Sequence, residues 1–173
     1  SYQVSVEQAL TNAGLLIQQG GAAAVKLEGG RRIINQVNAI VKAGIPVMGH
    51  VGLTPQSVHQ FGGYKVQGKN FLDSKQIKQD AQDLQKAGAF CLVLEGIPEE
   101  LAAEITIDLK IPTIGIGAGS KCDGQILVIH DLLGFNPDFA PKFVKRYAHL
   151  SDVIQNAVID FIEEVQTEKF PGP

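Results

Sequence analysis

The chain has no tryptophan, one methionine and two cysteines, and aromatic residues make up 6% of its 173 positions. Cys91 and Cys122 form no CxxC pair and are too few for a disulfide framework, so buried free thiols in a reducing cytoplasm are expected. No apolar run approaches the roughly 18 residues needed to span a membrane, and no charged-then-apolar leader opens the chain. Blocks of like charge are missing as well. With 15 Lys and Arg scattered among 18 Asp and Glu and a formal charge of -3, there is no basic footprint for nucleic acid. The partners expected are small molecules and other subunits. What remains is 45% hydrophobic and 19% charged, the composition of one soluble globular domain over residues 1-173 with enough chain to bury a sizeable core.

One rhythm runs through that composition, an amphipathic helix followed by a short β-branched run. Ser5 to Gln8 (SVEQ) has the form of a capping box, and Val6, Leu10, Ala13 and Ile17 recur at helical spacing before the breaker Gly20-Gly21. Ala23 to Leu27 reads as strand. Ile33, Ile34, Val37, Ile40 and Val41 make the next helical face, which Gly44 ends, and "IPVMGHVG" is the next strand. Ile77, Ala81 and Leu84 lead to "AFCLVLEG"; Pro98 through Leu109, with Glu99 and Glu100 in the first turn, leads to "IPTIGIGAG". A last strand is expected in "GQILVIHD". Continuous apolar strands alternating with helices predict an α/β fold with a parallel sheet.

The strands carry their polar residues where they end: Lys26 and Glu28, then His50, then Glu95, then glycines 115, 117 and 119, then His130 and Asp131. An open doubly wound sheet offers one crevice, at its switch point. A (β/α)8 barrel brings the C-terminal ends of all its strands to one mouth, so polar ends on strand after strand predict the barrel. Such barrels run to about 250 residues, and the five strands here correspond to about the last five strand-helix units, with C-terminal helices after them.

Side chains two apart on a strand share a face, so Lys26 and Glu28 point together, either as a structural salt bridge or as a site beside Gly29-Gly30, where a ligand can approach the backbone. Lysine suits an anionic carboxylate, and glutamate a hard cation or its bound water. Glu95 ends the otherwise apolar "CLVLEG". A carboxylate among apolar walls holds its proton more tightly, the tuning a general base or acid uses; the alternative is a loop carboxylate at a helix start. His50 is a satisfied core histidine or a ligand contact. His59 and His149 are assigned no role. "IGIGAG" either cradles a phosphate or holds packing glycines, and it is not the dinucleotide fingerprint. The segment "GHVGLTPQSVHQFGGYKVQGK", residues 49-69, has no helical period and follows a strand, which places a functional loop over the mouth.

In order and spacing, "VKLEGG", "GHVGLTPQSVHQFGGYKVQGK", "LVLEGIP", "IPTIGIGAG" and "DGQILVIHDLLG" resemble the ketopantoate hydroxymethyltransferase family, and the resemblance runs from near Tyr2 to the final "FPGP". It implies a (β/α)8 barrel that transfers a hydroxymethyl group from the co-substrate 5,10-methylenetetrahydrofolate to 3-methyl-2-oxobutanoate, giving 2-dehydropantoate on the way to pantothenate. It also implies Mg2+ and a homo-oligomer, a decamer built as a pentamer of dimers. Carried over by position, Lys26 binds the 2-oxo acid, Glu28 belongs to the magnesium site and Glu95 accepts the proton, with His50 orienting substrate or product. The family's remaining magnesium ligands are expected upstream of Ser1, on strands this chain does not contain. Two other readings stand beside this one: an inactive fragment of that enzyme acting only in assembly, and a Mg-dependent 2-oxo acid enzyme of the phosphoenolpyruvate mutase and isocitrate lyase type.

Overall fold

The structure is a computed structural model that describes residues 1-57, 63, 65-138 and 141-172. Five strands, β1 (Val25–Glu28), β2 (Val47–Gly52), β3 (Cys91–Glu95), β4 (Thr113–Ile116) and β5 (Gly124–Gln125), pair in parallel and in sequence order. Crossovers between parallel strands are right-handed. Strand order that never reverses therefore puts every crossover helix on one face, whereas a doubly wound sheet reverses direction at its switch point. The sheet is a stretch of barrel wall.

The helices α1 (Val6–Gln18), α2 (Ile34–Lys42), α3 (Phe71–Lys86) and α4 (Glu99–Asp108) follow the expected periodicity. The Ser5 hydroxyl caps α1 by accepting from the Gln8 N–H at 3.1 Å, and the Asn70 side chain does the same for α3 at Asp73 N–H, 2.9 Å. Val37 and Ile40 of α2, Leu84 of α3 and Ile105 of α4 are buried with Val25, Leu27, Val47, Val51, Leu92 and Leu94 of the strands. That apolar layer uses alternate strand residues. The residues between them, Lys26, Glu28, Met48, His50, Val93, Glu95, Ile114 and Ile116, belong to the opposite face, because partners in parallel register share a side: Lys26 with Met48, Glu28 with His50, His50 with Val93, Glu95 with Ile116.

The run "GQILVIHD" forms less strand than expected. β5 holds two residues, and its ladder ends where the Ile126 N–H donates to Gly115 O at 3.0 Å. Among the described residues β5 has a neighbour only on the β4 side, so the apolar run gains no burial by continuing: Ile126 and Val128 are about half exposed. The chain turns instead into the short helix α5 (Ile129–Leu132), which places His130 and Asp131 on a helix and not at a strand end.

The chain divides into two compact units, Ser1–Ile126 and Leu127–Pro173. The second contains α5 and α6 (Leu150–Gln166); α6 buries none of its own residues and leaves Ile154, Val158, Phe161, Ile162 and Val165 exposed. No helix among the described residues is long and apolar enough to cross a membrane.

The layer between sheet and helices sets the stability of the first unit. Leu92→Ala, at a side chain with no exposure, is expected to cost about 2–5 kcal/mol, and Ser5→Ala, which removes one cap, about 1 kcal/mol. Urea unfolding monitored by circular dichroism distinguishes them; equal losses would mean that the sheet-helix layer is not the core.

Candidate active site

The register brings three strand ends together. Glu28 of β1 lies beside His50 of β2, and Glu95 of β3 lies beside Gly52, two residues further along β2. The Lys26 Nζ stands 3.3 Å from Glu28 Oε1 and 3.2 Å from His50 Nδ1. His50 Nδ1 is 3.8 Å from Glu28 Oε1, and on the other side of the ring Nε2 is 3.2 Å from Glu95 Oε2. Exposure of these side chains rises from 2% for His50 through 8% for Glu28 and 16% for Glu95 to 44% for Lys26. All four side chains singled out in the sequence therefore form one cluster, with the imidazole at its centre. The Lys26–Glu28 salt bridge exists, but it is one edge of that cluster and not an isolated pair. Nor is Glu95 walled only by apolar groups, since His50 faces it.

The cluster also constrains its own protons. An ammonium only donates, so the Lys26 contact makes His50 Nδ1 the acceptor and leaves the ring proton on Nε2. That Nε2 has no aligned hydrogen-bond partner although Glu95 is close by. A buried donor in this state is costly unless something accepts from it. The site thus offers an ammonium, an imidazole N–H and a carboxylate within one short arc, a set suited to holding an anionic substrate while a carboxylate removes a proton from it.

Two contributors have no signature in the sequence. The Tyr2 hydroxyl accepts from the Glu28 N–H at 3.0 Å and donates to the Glu28 carbonyl at 2.9 Å. Gln56, in the turn Pro55–Ser57 that comes after β2, donates its N–H to Glu28 Oε2 at 3.0 Å. Only the length of the loop after β2 hinted at the second. Residues 58-62 and 64 of that loop, His59 included, lie outside the described residues. Its far end returns to the site, where the Gln67 N–H donates to Gly96 O at 2.8 Å, next to Glu95. His149 is exposed just before α6.

The glycine-rich "IGIGAG" is engaged internally. The N–H and hydroxyl of Ser120 donate to Glu99 Oε1 at 3.1 and 2.9 Å, and a Cβ on Gly119 would fall 2.3 Å from Glu99 Cγ. This favours packing glycines over a phosphate cradle. The Ser120 N–H, which prefers the ionised carboxylate, draws the Glu99 pKa below the usual glutamate value. A lowered native pKa means that this tie contributes at neutral pH and is lost as pH falls through the lowered value.

A divalent ion would need more than the described residues provide. Among the described residues no group of three or more His, Cys, Asp and Glu could hold a metal, and both Glu28 oxygens already face donors, Lys26 and the Gln56 N–H. Magnesium wants near-octahedral oxygen ligation, and these residues alone do not fit it.

A wall of parallel β/α units with charged side chains gathered at the C-terminal ends of its strands is the construction of barrel enzymes that act on small molecules. Over residues 1–173 the chain matches the model of one such family, ketopantoate hydroxymethyltransferase. The chain belongs to that family. It is 60% identical to the 3-methyl-2-oxobutanoate hydroxymethyltransferase of Clostridium beijerinckii over 171 residues, 99% of this chain and 62% of that protein. Proteins of the same name from Syntrophobacter fumaroxidans and Clostridioides difficile are 59% and 56% identical, covering 100% and 99% of this chain and 61% and 62% of theirs. The chain thus spans about three-fifths of the length of these relatives.

The ligand shortage is directly measurable. Calorimetric titration of the 173-residue chain with Mg2+, in the presence of 3-methyl-2-oxobutanoate, is expected to show no saturable binding beyond that of a generic acidic surface. Saturable sub-millimolar binding would show that Glu28 and its neighbours suffice for the ion.

Proposed function

We propose that the chain supplies the base and the oxo-acid-binding side chains of an enzyme that transfers a hydroxymethyl group from 5,10-methylenetetrahydrofolate to 3-methyl-2-oxobutanoate, giving 2-dehydropantoate. The observation that carries this reading is the juxtaposition of Glu95, His50 and Lys26 on one face of the sheet, at the ends of three different strands. The reaction needs a carbanion equivalent at C3 of the oxo acid. Glu95 takes the C3 proton, the electron pair passes into the enolate, and C3 then bonds the one-carbon unit as that carbon's bonds to the two folate nitrogens break; water supplies the hydroxyl oxygen, and tetrahydrofolate leaves with the protons. The Lys26 ammonium, the most exposed member of the cluster, attracts the substrate carboxylate. The N–H at His50 Nε2 donates to a substrate oxygen, which gives that buried donor the partner it lacks in the free protein.

Magnesium and the folate co-substrate belong to this proposal through the family. On this chain Glu28 is the side chain that would contribute to an ion, and no step is assigned to the metal. Assembly into a homo-oligomer, a decamer, belongs to this proposal through the family as well; the apolar residues exposed on α6 suit packing against a further surface better than open solvent. A cytoplasmic location is supported by two free cysteines.

Deuterium exchange at C3 of 3-methyl-2-oxobutanoate tests the assignment without requiring the folate. In a form of the protein extended to the full length of its relatives, Glu95→Gln is expected to lower the exchange rate by about a hundredfold or more while the oxo acid still binds. Exchange at the wild-type rate would remove Glu95 from the mechanism.

A further inference from the structure

Glu28 is the last residue of β1, and β1 is an edge strand among the described residues. In a parallel strand the N–H and C=O of one residue point to the same side, and successive residues alternate sides. Val25 and Gly29 turn toward β2, where their N–H groups donate to Pro46 O and His50 O, each at 3.0 Å. Lys26 and Glu28 therefore turn to the open side. Among the described residues a single atom closes that side at Glu28, since the Tyr2 hydroxyl oxygen bonds both backbone groups of the residue, at 3.0 and 2.9 Å. A phenol can accept and donate at once only while it keeps its proton.

This clamp sits at the point where the strand loses its stiffness. Glu28 is succeeded by Gly29, at φ +124°, and Gly30, the least restrained backbone available to a chain. Without the clamp, the described residues would hold the strand end on the β2 side alone, where the Gly29 N–H bonds His50 O, and the Glu28 side-chain direction would depend on a backbone restrained from one side. The carboxylate itself is held separately, by the Gln56 N–H on Oε2 and by Lys26 on Oε1. Backbone and side chain of one residue thus have independent restraints, more than a covered strand edge requires.

We propose that Tyr2 is a positioning residue for Glu28: by bonding both backbone groups at the end of β1, its hydroxyl fixes the direction in which the Glu28 carboxylate enters the mouth of the site. The inference rests on the reading of Glu28 as a residue of the active site. It assigns Tyr2 an effect on aim, beyond the covering of an exposed strand edge.

Tyr2→Phe removes one oxygen atom and tests this in two ways. In the variant chain, amide exchange at Glu28 is expected to accelerate roughly tenfold or more, because two hydrogen bonds no longer oppose local opening. The Leu94 amide, in the core strand β3, should stay as protected as in the wild type, and the 13C resonance of the Glu28 carboxyl should move. In the protein extended to the length of its relatives, turnover should fall about tenfold. Added to Glu28→Gln, the same change should cost less than about twofold, since it acts through a carboxylate already removed. An unmoved Glu28 carboxyl resonance, lost protection at Leu94, or an equal loss of turnover in both backgrounds would each overturn the proposal by showing an edge or stability role alone. If Glu28→Gln leaves turnover unchanged, the reading of Glu28 as an active-site residue fails instead, and the carboxyl resonance still reports whether Tyr2 aims it. If Glu28→Gln abolishes turnover, that resonance decides by itself.

Discussion

A buried imidazole with a charged neighbour at each ring nitrogen is the interaction on which the site depends. His50 is 1% exposed, with Lys26 and Glu28 at Nδ1 and Glu95 at Nε2. Carboxylates as little exposed as those of Glu28 and Glu95 are costly without compensation. The Lys26 ammonium supplies one positive charge and the Gln56 N–H one donor, both to Glu28. The arrangement remains one accepting group short at Nε2. A cluster complete except for one aligned acceptor keeps a buried N–H that an anionic or carbonyl-bearing group could satisfy.

The backbone makes room for this contact through glycine at two positions of β2. A Cβ on Gly49 would lie 2.8 Å from Leu92 Cδ1 and 3.0 Å from Leu84 Cδ1; its absence lets the strand sit tightly under α3, which fixes the height of the adjoining His50. Gly52 has φ +94°, and a Cβ there would lie 2.3 Å from Glu95 O. Glycine at that point allows the chain to turn out of β2 while remaining against β3, and the Leu53 N–H then bonds Glu95 O at 2.8 Å. The unusual strand "VMGHVG" is thus a packing solution in which the two glycines permit the separation between His50 and Glu95.

The two faces of the sheet divide the work. Val25, Leu27, Val47, Val51, Leu92 and Leu94 bury themselves against helices and carry the stability. The opposite face carries the charged ends and is less covered within this chain, with Met48, Ile114 and Ile116 partly exposed. Site residues on a rigid strand, backed by a packed layer, hold their geometry better than residues on loops. Tyr2 and Gln56 extend that rigidity to Glu28, where the strand gives way to a glycine pair.

Sequence alone determined what depends on neighbours in the chain. The helix-strand rhythm, the Ser5 cap, the polar strand ends and the pairing of Lys26 with Glu28 on one face all arise from spacings of two, three or four residues, and the motif blocks carried the family. Tertiary structure decided what depends on register between strands. That His50 stands between two carboxylates could not be read from "MGHVG", because they belong to Glu28 and Glu95, 22 and 45 positions away. The Tyr2 clamp was invisible for the same reason, being formed across 26 positions by a residue type without a local pattern. The length of β5 likewise depends on pairing between strands: among the described residues only β4 takes up its hydrogen bonds, over Gly124–Gln125.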